Sequence, residues 1–189
     1  MPQTVAQFAT EMADREAIRD CLYRYCRGID RLDIELIESA YWPDASDEHG
    51  NFIARSAREF IEHAVPILKS IEMTTHFLGN VLIEIDGDRA AVESYVRAFH
   101  RMRRPDGTAY DHVSSSRFID RMERRSDEWR IAHRIVVRDW FREFNDAFAW
   151  NEGEFPKSLD YGKQRPLDLG GRKPDDRSYE IFVSSSVTA

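Results

Sequence analysis

Two short stretches hold the side chains best suited to proton chemistry. "RGIDRLD" (residues 27–33) offers the carboxylate of Asp30, and "TTHFLG" (74–79) offers the imidazole of His76. A carboxylate on one ring nitrogen fixes a histidine's tautomer, raises its basicity and leaves the other nitrogen free to take a proton. Taken alone, each residue also has a plainer role. Asp30 follows Gly28 at the end of an apolar helical stripe, so it is either a solvated turn residue or a carboxylate aimed into a pocket. The second role has a cost, because negative charge is disfavoured near a helix C-terminus. His76 shares one strand face with Leu78, Asn80 and Leu82, while Phe77, Val81 and Ile83 form the other. Both faces are apolar, so alternation does not choose between them. His100 shares a face with Val92, Val96 and Ala98 that reads as inward, as a core histidine or a pocket donor. Tyr25, on the helical stripe, is a core aromatic whose hydroxyl needs a partner, or a donor to a leaving oxygen or an enolate. Arg138, in "RIVVRDW", pairs with Asp139 or another carboxylate, or binds an anionic substrate group. His112 and His133 alternate with apolar neighbours and are weaker candidates. His49 and His63 read as surface residues.

Other chemistries find less support. Cys21 and Cys26 sit five positions apart on one predicted helix, point in different directions and cannot easily form a disulfide. No CxxC pair or His/Cys cluster suggests a metal site, and no cofactor is expected. The net charge of -7 at pH 7 argues against nucleic acid as a general partner. The arginine runs Arg101, Arg103, Arg104 and Arg121, Arg124, Arg125 read as solvated strand ends or oligomer contacts. No apolar run approaches the ~20 residues of a membrane span, and "MPQTVAQFATEMADRE" has no basic and apolar leader pattern. The expectation is a soluble, reduced, cytoplasmic protein.

These side chains must be positioned by a small set of elements. "DREAIRDCLYRYCRGI" predicts a helix capped by Asp14, with Ile18, Leu22, Tyr25 and Ile29 on one face and Gly28 as its stop. "DIELIESAYW" predicts a second helix starting at Asp33. "PDASDEHGNFIA" predicts a hairpin around Gly50. "SAREFIEHAVPILKS" predicts a third helix, with Ser56 and Glu59 as a capping box. From Thr74 onward four long strands are joined by the turns "DGD", "PDG" and "SDE", which is an antiparallel meander. Residues 1–145 are expected to form one α+β domain, a strongly curved antiparallel sheet closed by N-terminal helices into a cone with an interior pocket. Residues 146–189 are expected to be largely irregular. Their Phe155, Leu159, Tyr161, Leu167 and Leu169 predict packing on the domain or on a neighbouring subunit. The outer sheet face, with Tyr95, Phe99, Ile119 and Trp140, predicts a homo-dimer or homo-trimer.

The blocks "YRYCRGIDRLDIELIESAYWPDA", "TTHFLGNVLIEIDGDRAAVESYV" and "ERRSDEWRIAHRIVVRDW" resemble the SnoaL-like branch of the NTF2-like (cystatin-like) superfamily over roughly residues 14–142. Within it the chain is similar to a lyase group that includes scytalone dehydratase, bile-acid 7α-dehydratase and hexachlorocyclohexane dehydrochlorinase. The resemblance implies that Asp30 and His76 form a catalytic dyad. It implies substrate-binding roles for Tyr25, His100, Ser114, Ser116 and Arg138. It further implies a cofactor-independent lyase, dehydratase-like, acting on a small, largely hydrophobic, aromatic or polycyclic hydroxylated substrate. Alternatives on the same scaffold are an isomerase or cyclase on the same dyad, a non-catalytic ligand carrier, or a subunit of a ring-hydroxylating complex. Departures from the group's pattern at Ala98 and near Asp47 or Glu48 leave the substrate open.

Overall fold

The first helix begins earlier than its apolar stripe. In the computed structural model, which describes residues 3–145 and 169–181, the Thr4 hydroxyl accepts from the Gln7 amide and the Gln7 side chain accepts from the Thr4 amide. This capping box starts α1 (Val5–Arg31). Asp14, the expected cap, lies inside the helix, and its carboxylate accepts from Trp129 Nε1 at 2.8 Å and from Arg124 at 3.2 Å. Gly28 is not the stop either. It lets α2 (Ile34–Ala40, capped by Asp33) pack so closely that a Cβ at position 28 would stand 2.8 Å from Ile37 Cγ1. The helix ends at Leu32, in the left-handed region with φ of 52°. Asp30 therefore belongs to the last turn of α1.

β1 (Tyr41–His49) and β2 (Phe52–Ala54) make the hairpin around Gly50. α3 (Ala57–Ser70) follows, with the Ser56 hydroxyl accepting from the Glu59 amide. β3 (Met73–Asp86), β4 (Arg89–Arg103), β5 (Ala109–Arg125) and β6 (Glu128–Phe144) form the expected meander. The strand order is β2-β1-β6-β5-β4-β3, in an unclosed sheet. One feature departs from expectation: β1 runs parallel to β6, so the sheet is mixed. Connectivity explains it. β1 and β6 are joined through β2, α3 and the rest of the meander, not by a tight turn, and only a tight turn would force an antiparallel pair.

Register shifts in β3 (between Leu78 and Val81) and in β6 where it faces Ser115/Ser116 and Arg121/Met122 bend the sheet around the helices. The β3 shift also settles the face of His76. His76 and Leu78 point inward opposite Ala98 and Val96. After the irregularity at Gly79–Asn80, Val81 and Ile83 take over the inward positions opposite Ser94 and Val92. The swap of faces is why both sides of this strand look apolar in the sequence. Against the inner face pack Ile18, Leu22, Tyr25 and Ile29 of α1. Cys21 and Cys26 are buried and free. Among the described residues no helix is long and apolar enough to cross a membrane.

Residues 169–181, including α4 (Ser178–Ile181), lie against the end of α1. The Lys173 amide donates to Arg31 O at 2.8 Å, and the Tyr179 hydroxyl donates to Asp33 at 2.7 Å. The expected packing of Phe155, Leu159, Tyr161 and Leu167 lies outside the described residues.

Candidate active site

The last turn of α1 and the start of β3 meet at Asp30 and His76. Asp30 Oδ1 lies 2.7 Å from His76 Nδ1, and Asp30 Oδ2 accepts from the His76 backbone amide at 2.8 Å. Both side chains are 12% exposed. The two-point contact fixes the carboxylate against both ring and backbone. With a carboxylate at Nδ1, that nitrogen carries the proton and Nε2 is left as a base.

His76 opens onto a cavity of about 280 Å³ between the inner sheet face and helices α1 and α3. This is near the small end of ligand pockets. Its walls are mostly apolar, with Ile29, Phe60, Leu68, Val96, Phe118 and Val136 among them, and a few polar groups converge on it. Every residue expected to bind substrate is there: Tyr25, His100, Ser114, Ser116 and Arg138 all line this cavity. Ser114 and Ser116 are buried on consecutive inward positions of β5. The His100 ring meets that of His76 edge-on, with centroids 5.7 Å apart. Burial, reinforced by the neighbouring His76, His112 and Arg138 charges, pushes the His100 pKa down to about 3, so it sits in the cavity as a neutral imidazole. Arg138 stands exposed at the cavity's rim. Its sequence neighbour Asp139 is bonded instead to Arg117 on the outer face, which leaves Arg138 available to an anionic group. A more open hollow of about 370 Å³ lies on the far side of the pair, against Tyr23, Arg27 and Arg31. His76 lines it too, but Ser114, Ser116 and His100 do not.

Residues 10–135, which include both members of the pair, match the SnoaL-like domain family. The chain belongs to that family. Solved structures similar to this SnoaL-like domain include a candidate scytalone dehydratase from Novosphingobium aromaticivorans, with a TM-score of 0.64 and 20% identity over 74% of this chain and 93% of that one. Another is hexachlorocyclohexane dehydrochlorinase type 3 from Novosphingobium barchaimii, with a TM-score of 0.63 and 16% identity over 72% and 94% of the two chains. A third, from Nostoc punctiforme and of unknown function, has a cystatin-like fold, with a TM-score of 0.56 and 19% identity over 74% and 96%. At these identities the likeness is one of fold. No curated protein matches the chain.

The SnoaL-like domain also places groups at the site that were not expected there. Beneath Tyr25 lies a buried ion pair. Arg134 donates to both oxygens of Asp120 at 2.7 Å, and neither side chain is exposed. The guanidinium lies 4.3 Å from the Tyr25 ring centroid. Burial disfavours the charge on Arg134, but Asp120 and the two tyrosines Tyr41 and Tyr25 more than offset it and hold its pKa well above the usual value. Burial likewise pushes the Tyr25 hydroxyl up, so Tyr25 is a neutral donor. Asp120 was findable, since it alternates in phase with Ser116, Phe118 and Met122. His63, exposed as expected, and the partly buried His49 also line the cavity. From the C-terminal segment, the Arg172 guanidinium donates to Ile29 O and Asp30 O, each at 3.1 Å, and to Leu68 O and Ile71 O at 3.3 and 3.2 Å. It thereby caps the ends of α1 and α3 together. No sequence signal marks it, because a lone arginine in an irregular stretch has no period. Among the described residues no three His, Cys, Asp or Glu side chains group as metal ligands.

Proposed function

We propose that the chain is a lyase that eliminates a leaving group, most simply water, from a small, largely hydrophobic hydroxylated substrate, with His76 as base and Asp30 as its partner. The observation that carries this reading is the double contact of Asp30 with the ring and amide of His76 at the wall of an apolar cavity. His76 Nε2 takes a proton from a carbon next to an activating carbonyl. The electron pair forms the new double bond and the leaving group departs from the neighbouring carbon. Asp30 stabilises the imidazolium, and a dry cavity strengthens that attraction. Tyr25, neutral His100 and the Ser114/Ser116 hydroxyls offer donors to oxygen as charge develops on it. Arg138 holds an anionic or polar end of the substrate at the rim. The named reactions of two proteins of similar fold, a dehydratase and a dehydrochlorinase, are both eliminations. The working form is read as a homo-dimer or homo-trimer.

The test is a panel of bicyclic and phenolic β-hydroxy ketones, followed by ultraviolet absorbance for the conjugated product. Wild-type chain should turn over at least one member, and His76→Ala should lose ~10²-fold or more. Proton return without loss of water, seen as deuterium wash-in with no new double bond, would assign an isomerase instead. A panel bound without any change would make the chain a carrier.

A further inference from the structure

β1 brings a second carboxylate and histidine to the same cavity. Asp47 and His49 are two positions apart on the strand and so share its inward face. Asp47 is 1% exposed, and its Oδ2 accepts from the Tyr41 hydroxyl at 2.7 Å. Its other oxygen, Oδ1, stands 3.4 Å from His49 Nδ1. Both of these atoms are buried, and neither has a hydrogen-bond partner. The gap between them is one that a small turn of the His49 ring would close. The buried Nδ1 leaves Nε2 as the nitrogen open to a ligand. The ring stacks on Phe60 with centroids 5.7 Å apart, and it lines the cavity that His76 lines. In the sheet β1 and β3 are separated by β6, β5 and β4. The two histidines therefore reach one small cavity from opposite walls, with apolar side chains such as Val96, Phe118 and Val136 between them.

We propose that His49, oriented by Asp47, is the second acid–base residue of this site and protonates the departing oxygen of a substrate whose C–H bond is met by His76. The assignment rests on the elimination reading above and deepens it. His76 takes the proton of the C–H bond, and that electron pair becomes the double bond. The C–O bond breaks, the oxygen leaves with the bonding pair and takes the proton of His49 Nε2, and water departs. The products are an enone and water. His76 ends protonated and His49 neutral, and solvent restores both. Groups on opposite walls suit a substrate whose acidic C–H and hydroxyl lie on opposite faces of the ring, which narrows the class to cyclic β-hydroxy ketones of two fused rings or fewer.

A matched pair of substrates tests it: 3-hydroxy-1-tetralone, whose hydroxyl must be protonated to leave, and 3-chloro-1-tetralone, whose chloride need not be. With wild type turning over both above the spontaneous rate, His49→Gln should lose ~10²-fold in kcat on the hydroxy ketone. It should stay within a few fold of wild type on the chloro ketone. Asp47→Asn should shift the two substrates in the same unequal way, and His76→Ala should lose both. His49→Asn, checked for an unchanged thermal melt, guards against an effect of side-chain bulk. Equal loss on both substrates, or no loss on either, would overturn the role of His49 while leaving His76 in place. Failure of the wild-type chain on both would overturn the elimination reading and this assignment with it.

Discussion

Asp30 is held where a helix would rather not have it. Its carboxylate sits in the last turn of α1, yet it makes two short bonds to His76. If those bonds serve chemistry, Asp30→Asn and His76→Ala should each remove most activity, and the double variant should be little worse than either, because members of one catalytic unit are non-additive. Asn keeps the shape but not the charge, so its deficit measures the electrostatic share. Near-normal kcat in Asp30→Asn would reduce Asp30 to a strand cap. His100 gives a prediction with a definite sign. Its pKa is about 3 in the folded chain, against ~6.5 unfolded. Between those values the unfolded chain binds more protons, so stability rises with pH. The contribution of neutral His100 is fully present above ~pH 6.5 and is lost as pH falls toward about 3. Thermal melts at about pH 7 and pH 4.5 should show a larger fall for wild type than for His100→Phe, which fills the space and cannot charge. Parallel falls would remove His100 from the account. At this scale the sequence was informative about residue types and about the inward face of His100. That Asp30 and His76 meet was legible only through the family resemblance, since local periodicity does not show how α1 crosses β3.

Elements decide how firmly the pair is held. Arg172 gathers four carbonyls from the ends of α1 and α3, next to Asp30. Burial lowers its pKa, while the nearby Asp30 charge works in the opposite direction. A cation at two helix C-termini complements both dipoles and offsets the cost of the Asp30 charge there. Arg172→Ala should therefore destabilise the fold by ~1–3 kcal/mol. It should lower kcat more than it raises KM, because the turn that carries Asp30 loses its anchor while the cavity walls stay. Arg172→Lys should recover part of the kcat. A change in melting temperature with kcat untouched would make the segment a strap without influence on the site. Element starts were legible where a cap precedes an apolar run, as at Ser56 and Asp33. The start of α1 was not, because Thr4–Gln7 precedes turns that bury almost nothing: Phe8 is 56% exposed and Met12 is 38% exposed. Gly28 misled for a packing reason, being small to admit Ile37 rather than to end a helix.

The whole molecule sorts its side chains by sheet face. The inner face of the sheet carries His76, His100, Ser114, Ser116 and the Asp120–Arg134 pair. The meander that builds it was legible from four long strands and three tight turns. The parallel β1–β6 contact was not, because strand direction across a helical crossover leaves no mark in local periodicity. Of the arginines expected at solvated strand ends or oligomer contacts, Arg101 is buried against Asp111, while Arg124 and Arg125 form partly exposed pairs with Asp88 and Asp44. The outer face is different. Phe77 is 74% exposed, Tyr95 44% and Trp140 42%, while Phe99 and Ile119 beside them are only half-buried. We propose that this apolar face is covered by a second copy of the chain. In sedimentation at micromolar concentration the chain should run as a dimer or trimer. Tyr95→Glu combined with Trp140→Glu should shift it toward monomer. Because those side chains point away from the cavity, activity per chain should survive the shift. A wild-type monomer would leave the outer face uncovered and remove assembly from the proposal, and loss of activity with dissociation would mean that a neighbouring copy completes the site.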